Sequence, residues 1–242
     1  NSGSMQEEIG ALQGPVFDSL PEQLLEVGNG IDEFHLGVIN GCPKPGFLHD
    51  TGDGGACNYS TGTNYMSSDS PDLADEYQCV MDLSDSGYMD QDEQCVDSGN
   101  LGDDDEQPAQ AASATLIEPA VSQENAGFLQ EDALLFVVAM TDEDEEMIDE
   151  NGDPVDTQTI VDRFVAAKGT IDNVVFLGIG GESNCNGPYG GANDAEELQA
   201  ITQVFVDAER GLFWDLCDGD LETAFAQAIE IVDDACNDFI PQ

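Results

Sequence analysis

The 242-residue chain sets 52 acidic residues against four basic ones (Lys44, Arg163, Lys168 and Arg210), a formal charge of −48 at pH 7. A surface of that sign repels nucleic acid and anionic membranes, which excludes both as partners. With 40% hydrophobic residues the chain can bury one α/β core with decorated loops, and no run of about 18 apolar residues suits a membrane-spanning helix.

The acidic surface attracts divalent cations and suits a saline or marine medium, whose ions screen self-repulsion beyond about 10 Å. Neither an initiator Met nor a signal peptide opens the chain, so it reads as a mature or trimmed segment. Seven cysteines fall mostly in expected loops, with no Cys-x-x-Cys pair and only two histidines. That argues against zinc and against a redox motif, and for disulfides in an extracytoplasmic compartment. The odd count leaves one thiol without a partner inside the chain.

From Met5, apolar residues at Ile9, Leu12, Val16, Leu20 and Leu24 predict two helical pieces, interrupted at Pro15 and Pro21. Phe34 to Asn40 reads as a strand. Residues 41–105, rich in Gly, Ser and Asp, read as loop with short strands pinned by disulfides. Glu106 to Glu118 reads as a helix ended by Pro119. The strongest strand is Ala133 to Met140, a continuous apolar run of the kind found in a parallel strand covered on both faces. Thr157 to Lys168 is a helix stopped by Gly169, and Asn173 to Gly181 is a second buried strand. Asn193 is expected to cap a helix through Glu209, with Glu196 closing a capping box. A strand over Gly211–Cys217 and a helix from Leu221 to about Phe239 complete the pattern. Strands and helices alternating at these lengths imply a doubly wound, mostly parallel sheet.

In such sheets ligands bind beyond the carboxyl ends of the strands. Asp142 stands at that end of the best strand, and Ser2 and Ser4 precede the first helix. Hydroxyls and carboxylates are what Mg²⁺ or Ca²⁺ requires, although Ser2 and Ser4 also suit plain helix capping. Asn1-Ser-Gly-Ser-Met5 before a helix, with Leu134-Leu-Phe-Val-Val-Ala-Met-Thr-Asp-Glu143 later, resembles the von Willebrand factor A-type domain. Asn125-Ala-Gly-Phe-Leu129 is similar to a segment of its secreted bacterial members, often lipoproteins. The resemblance covers nearly the whole chain and implies a single Rossmann-like domain over residues 1–242.

The resemblance further implies a metal-ion-dependent adhesion site, built on Asp-x-Ser-x-Ser, a Thr from a later loop and an Asp after the fourth strand. The matching positions are Ser2, Ser4 and Asp142, with Asp103 standing where Thr is usual. The motif's first Asp would immediately precede Asn1. So would the fold's first central strand, which is therefore expected from an upstream piece or a partner chain. Asp142 is expected to act through water, and a partner's acidic residue would complete the shell. Among the cysteines, Cys185 and Cys217 follow neighbouring strand ends and are expected to pair. Cys42 with Cys57 and Cys79 with Cys95 are plausible local pairs. That leaves Cys236, low on the last helix, for a disulfide to the upstream segment.

Asp82, Ser84, Ser86, Asp90 and Glu93, with Gly87 at the turn, also fit the spacing of an EF-hand calcium loop. His35 in a strand and His49 in a loop come with no nucleophile elbow or phosphate loop, so no catalytic residue is expected and the chain is not read as an enzyme. Two functions follow. One is an extracytoplasmic, divalent-cation-dependent binding or adhesion module that takes a protein partner. The other is a structural or assembly protein with a degenerate site and acidic loops that bind Ca²⁺ diffusely.

Overall fold

The structure is a computed structural model and describes residues 6–12, 14, 33–41, 46–52, 55–81, 106–145, 147 and 154–238. In chain order its main elements are α1 (Gln6–Ala11), β1 (His35–Leu36), β2 (Thr51–Gly52), β3 (Gly55–Ala56), β4 (Met66–Ser67), α2 (Leu73–Met81) and α3 (Pro108–Ala114). They continue with β5 (Leu135–Met140), α4 (Thr157–Lys168), β6 (Val174–Gly180), β7 (Cys185–Gly187) and β8 (Gly190–Ala192). The last three are α5 (Glu196–Asp207), β9 (Gly211–Asp215) and α6 (Leu221–Asp238).

The organising unit is a parallel three-stranded sheet in the order β5-β6-β9. β6 reads Val-Val-Phe-Leu-Gly-Ile-Gly, and all seven residues are buried. Side chains alternate across the sheet, so one face sends Val137, Ala139 and Phe176 into a core with α4 and α5. The other face sends Phe136, Val138, Leu177 and Ile179 against Leu221, Phe225 and Ala228 of α6 and Ala11 of α1. Helices thus cover both faces of the sheet. Phe164, Phe176 and Phe205 meet at centroid distances of 5.1–6.3 Å and tie α4, β6 and α5 together. Gly178 marks the closest approach of α5: a Cβ there would lie 2.1 Å from the Thr202 hydroxyl.

Several expectations hold to within a residue or two. α4 starts behind Asp156, whose carboxylate accepts from the Gln158 N–H at 2.8 Å, and ends at left-handed Gly169. β5, β6, β9 and α6 lie where their apolar runs place them. Others need correction. Of the strand expected over Phe34 to Asn40, only His35–Leu36 forms, paired antiparallel with Met66–Ser67 in a small two-stranded side layer. Residues 41–105 contain a nine-residue helix, α2, whose Tyr77, Val80 and Met81 are buried. The helix expected over 106–118 spans Pro108–Ala114, with Pro at its start, where a missing N–H costs nothing.

That helix stops early because Asn125 holds the chain beyond it. This buried amide donates to the carbonyls of Gly46 and Thr115 and accepts from Leu48 N–H and Asn64 Nδ2. Phe128 then packs on Tyr65 and His35, and its carbonyl lies 2.8 Å from His35 Nδ1. Asn125 and Phe128 therefore serve as structural ties between the side layer and the sheet.

The disulfides divide in the same way. Cys185–Cys217 forms as expected. Cys57, however, pairs with Cys79, because α2 carries Cys79 over the β2–β3 hairpin; the local pairs Cys42–Cys57 and Cys79–Cys95 are thereby excluded. Cys42 and Cys95 lie outside the described residues, and Cys236 is an exposed free thiol. Two disulfides are consistent with an extracytoplasmic location; no described helix is long and apolar enough to cross a membrane.

Candidate functional site

β5 delivers Thr141 and Asp142 to the carboxyl end of the sheet. Thr141 is fully buried; its hydroxyl donates to Glu106 Oε2 at 2.9 Å and accepts from the Glu143 N–H at 3.0 Å. Asp142 is 5% exposed, and its backbone carbonyl accepts from the Asn193 N–H at 2.8 Å. Asp142 borders a recess of about 580 Å³ shared with Glu143, Asn184, Asn186 and Asn193. The opposite wall is the β7–β8 hairpin, which the Cys185–Cys217 disulfide fastens to the end of β9. The lining is rich in carboxylate, amide and backbone oxygens, the donor type that hard divalent cations take.

The next two residues hold helices in place. Asp144 Oδ1 accepts from the backbone N–H groups of Glu145 and Glu197, both at 3.0 Å, so it caps α5 from another loop. This overturns the expected cap: Ala195, two residues beyond Asn193, occupies the N-cap position without a side-chain bond. Glu145, 1% exposed, accepts from the first N–H groups of α3, Ala109 at 2.7 Å and Gln110 at 3.3 Å. Burial pushes its pKa up to about 8, against the pull of those two donors and with help from the Asp144 and Glu197 charges. Glu197 is pushed up to about 7, first by its hydrogen bond with the Asp144 carboxyl and then by burial.

Among the described residues, positive charge is engaged elsewhere. Lys168 donates to the Gln130 carbonyl, Arg163 to Ser113, and Arg210 to the carbonyls of Asp172 and Glu209 and to Asp238 at 3.5 Å. Of the residues expected in the metal shell, the structure places Asp142 at the recess. Ser2, Ser4 and Asp103 lie outside the described residues, as do Asp82, Ser84, Ser86, Asp90 and Glu93 of the second calcium candidate. The described part of α1 begins beside the same end of the sheet, with Glu7 Oε2 3.6 Å from where a Cβ on Gly190 would sit.

A second cluster escaped the sequence reading. Ligand-type atoms of Cys185, Asp215 and Cys217 lie within 4.8 Å of one another, close enough to share one metal ion. Here the two sulfurs are bonded to each other, and Asp215 Oδ1 accepts from the Cys217 N–H at 3.0 Å. The trio becomes a ligand set only when reduced, because metals take the thiolate. A scan against protein-family models found no match to this chain, and searches of curated proteins and of solved structures found none.

Gly181 sets the spacing between the two walls of the recess, since a Cβ there would lie 2.0 Å from the backbone oxygen of Asn193. Backbone cannot swing aside as a side chain can. Gly181→Ala is expected to cost about 1–3 kcal/mol by the rule for overpacked sites, read from urea unfolding. Gly10→Ala on the exposed side of α1, where nothing lies within 4 Å of the added Cβ, is expected to shift stability the other way by about 0.5–1 kcal/mol.

Proposed function

We propose that this chain is an extracytoplasmic module of von Willebrand factor A type that binds a protein partner through a divalent cation. The observation that carries the reading is Asp142: a nearly buried carboxylate at the carboxyl end of β5, bordering an oxygen-lined recess. Ser2 and Ser4, just ahead of α1, and Asp103 are the further ligands in this reading, with Mg²⁺ or Ca²⁺ as the cation and Asp142 acting through water. The cation then presents an open position to an acidic side chain of the partner. A partner carboxylate meeting Asp142 and Glu143 without a cation between them would be repelled. The reading contains no catalytic residue and no nucleic-acid partner.

The second reading, a structural or assembly protein with diffuse Ca²⁺ binding, draws on Asp144 and Glu145, whose carboxylates are committed to helix ends. Mn²⁺, which shares the oxygen preference of Mg²⁺, separates the two. Anomalous diffraction from crystals grown with Mn²⁺ should show one dominant peak beside Asp142. Several weak peaks scattered over the acidic surface, with none at Asp142, would favour the second reading.

A further inference from the structure

Of the thirteen asparagines in the chain, one alone has Ser or Thr two residues on: Asn58, in Asn58-Tyr59-Ser60. Asn-x-Ser/Thr, with x other than Pro, is the acceptor signature of N-linked glycosylation, a modification of surface loops in exported chains. Three residues are a short signature, and only a fold that presents them to solvent makes them a site.

The chain leaves β3 at Ala56 and alternates from there: Cys57 and Tyr59 are buried, Asn58 and Ser60 exposed. Cys57 is fixed inward by its disulfide to Cys79 of α2. Tyr59, 7% exposed, packs in the core of the side layer, and its hydroxyl donates to the His49 carbonyl at 2.8 Å. These two anchors leave Asn58 and Ser60 facing solvent. Among the described residues neither side chain makes a hydrogen bond; Ser60 reaches Glu76 Oε1 through its backbone N–H, at 2.7 Å. A transferase needs both the amide it modifies and the hydroxyl that marks it, and both are within its reach.

The flanks of the triplet are open as well. A Cβ added at Gly55 or at Gly62 would meet nothing within 4 Å, so a bulky group at Asn58 has room without displacing the core. We infer that Asn58 is the acceptor of an N-linked oligosaccharide. The inference rests on the extracytoplasmic location in the reading above and uses nothing of its cation. The donor is a sugar chain carried on a polyisoprenyl phosphate. Asn58 Nδ2 forms a bond to the anomeric carbon of the first sugar, and the bond from that carbon to the phosphate oxygen breaks. The phosphate leaves with the bonding pair, one Nδ2 proton passes to a base, and nothing is oxidised or reduced.

Asn184, Asn186 and Asn193 are exposed too, but Asn186, Pro188 and Ala195 stand where each would need its hydroxyl. They are internal controls. The test is peptide mass spectrometry of the chain as its own cell exports it, as wild type and as the variants Ser60→Ala and Ser60→Thr. Ser60 is exposed and held by its backbone, so both variants should fold. In wild type and Ser60→Thr the peptide carrying Asn58 should gain the mass of whole sugar residues. Ser60→Ala should lose that gain although Asn58 is still there, and the three control asparagines should stay bare. An exported, disulfide-bonded chain with Asn58 bare would overturn the inference and leave the location standing. A chain held in the cytosol with its cysteines reduced would overturn both. An added mass that persists in Ser60→Ala would also count against it, since the hydroxyl would then play no part.

Discussion

Stability should fall as pH rises from about 4.5 to 8, and Glu145→Gln should remove most of that fall. The folded Glu145 titrates near 8 against an ordinary 4.5, so across that interval the native state holds a proton that the unfolded chain has released. Its contribution is complete below the unfolded value and is lost as pH climbs through the folded one. For a carboxyl this deeply buried the loss is on the order of a few kcal/mol. Glu197, pushed up to about 7, adds a smaller loss of the same sign. Self-repulsion among the other carboxylates runs in the same direction but is screened, with a Debye length near 3 Å in about 1 M salt. Urea unfolding at high salt therefore isolates the buried group. Glu145→Gln keeps an acceptor for the Ala109 N–H and should leave only the smaller Glu197 fall; a wild-type profile no steeper than the variant's would mean that Glu145 keeps its ordinary pKa.

The second large effect is a reversal of sign at Asp142. In chelator, Asp142→Ala removes a buried carboxylate whose desolvation opposes folding, so the variant should match or exceed wild type in melting temperature. With Ca²⁺ or Mg²⁺ at about 100 times the dissociation constant, wild type should gain about 2.7 kcal/mol by mass action, and the variant little. The order of the two melting temperatures then inverts between buffers. Parallel gains in both proteins would place the cation elsewhere on the acidic surface.

What the sequence made legible was whatever rests on continuous local signals. The apolar runs at β5 and β6, the Gly169 stop of α4 and the long amphipathic α6 need no tertiary information. Cys185 and Cys217 were pairable because both follow neighbouring strand ends. α2 carries Leu73, Tyr77, Val80 and Met81 at helical spacing, but the surrounding Asp and Ser residues masked it. With α2 unseen, Cys79 could not be placed over Cys57. The cap of α5 comes from Asp144, 53 residues upstream of Glu197, a contact that only the fold creates. Glu145 is one acid among 52, and nothing local marks it as the one that closes the start of α3. At the site, the position of Asp142 was readable from its strand. The hairpin wall was not, although Gly187-Pro-Tyr-Gly190 carries turn residues between two short runs.

Calorimetric titration of wild type and Asp142→Ala with Ca²⁺ and with Mg²⁺ bears most directly on the cation reading. A single saturable site in wild type, abolished by the substitution, is the predicted result. Many weak sites that are indifferent to Asp142→Ala would contradict it.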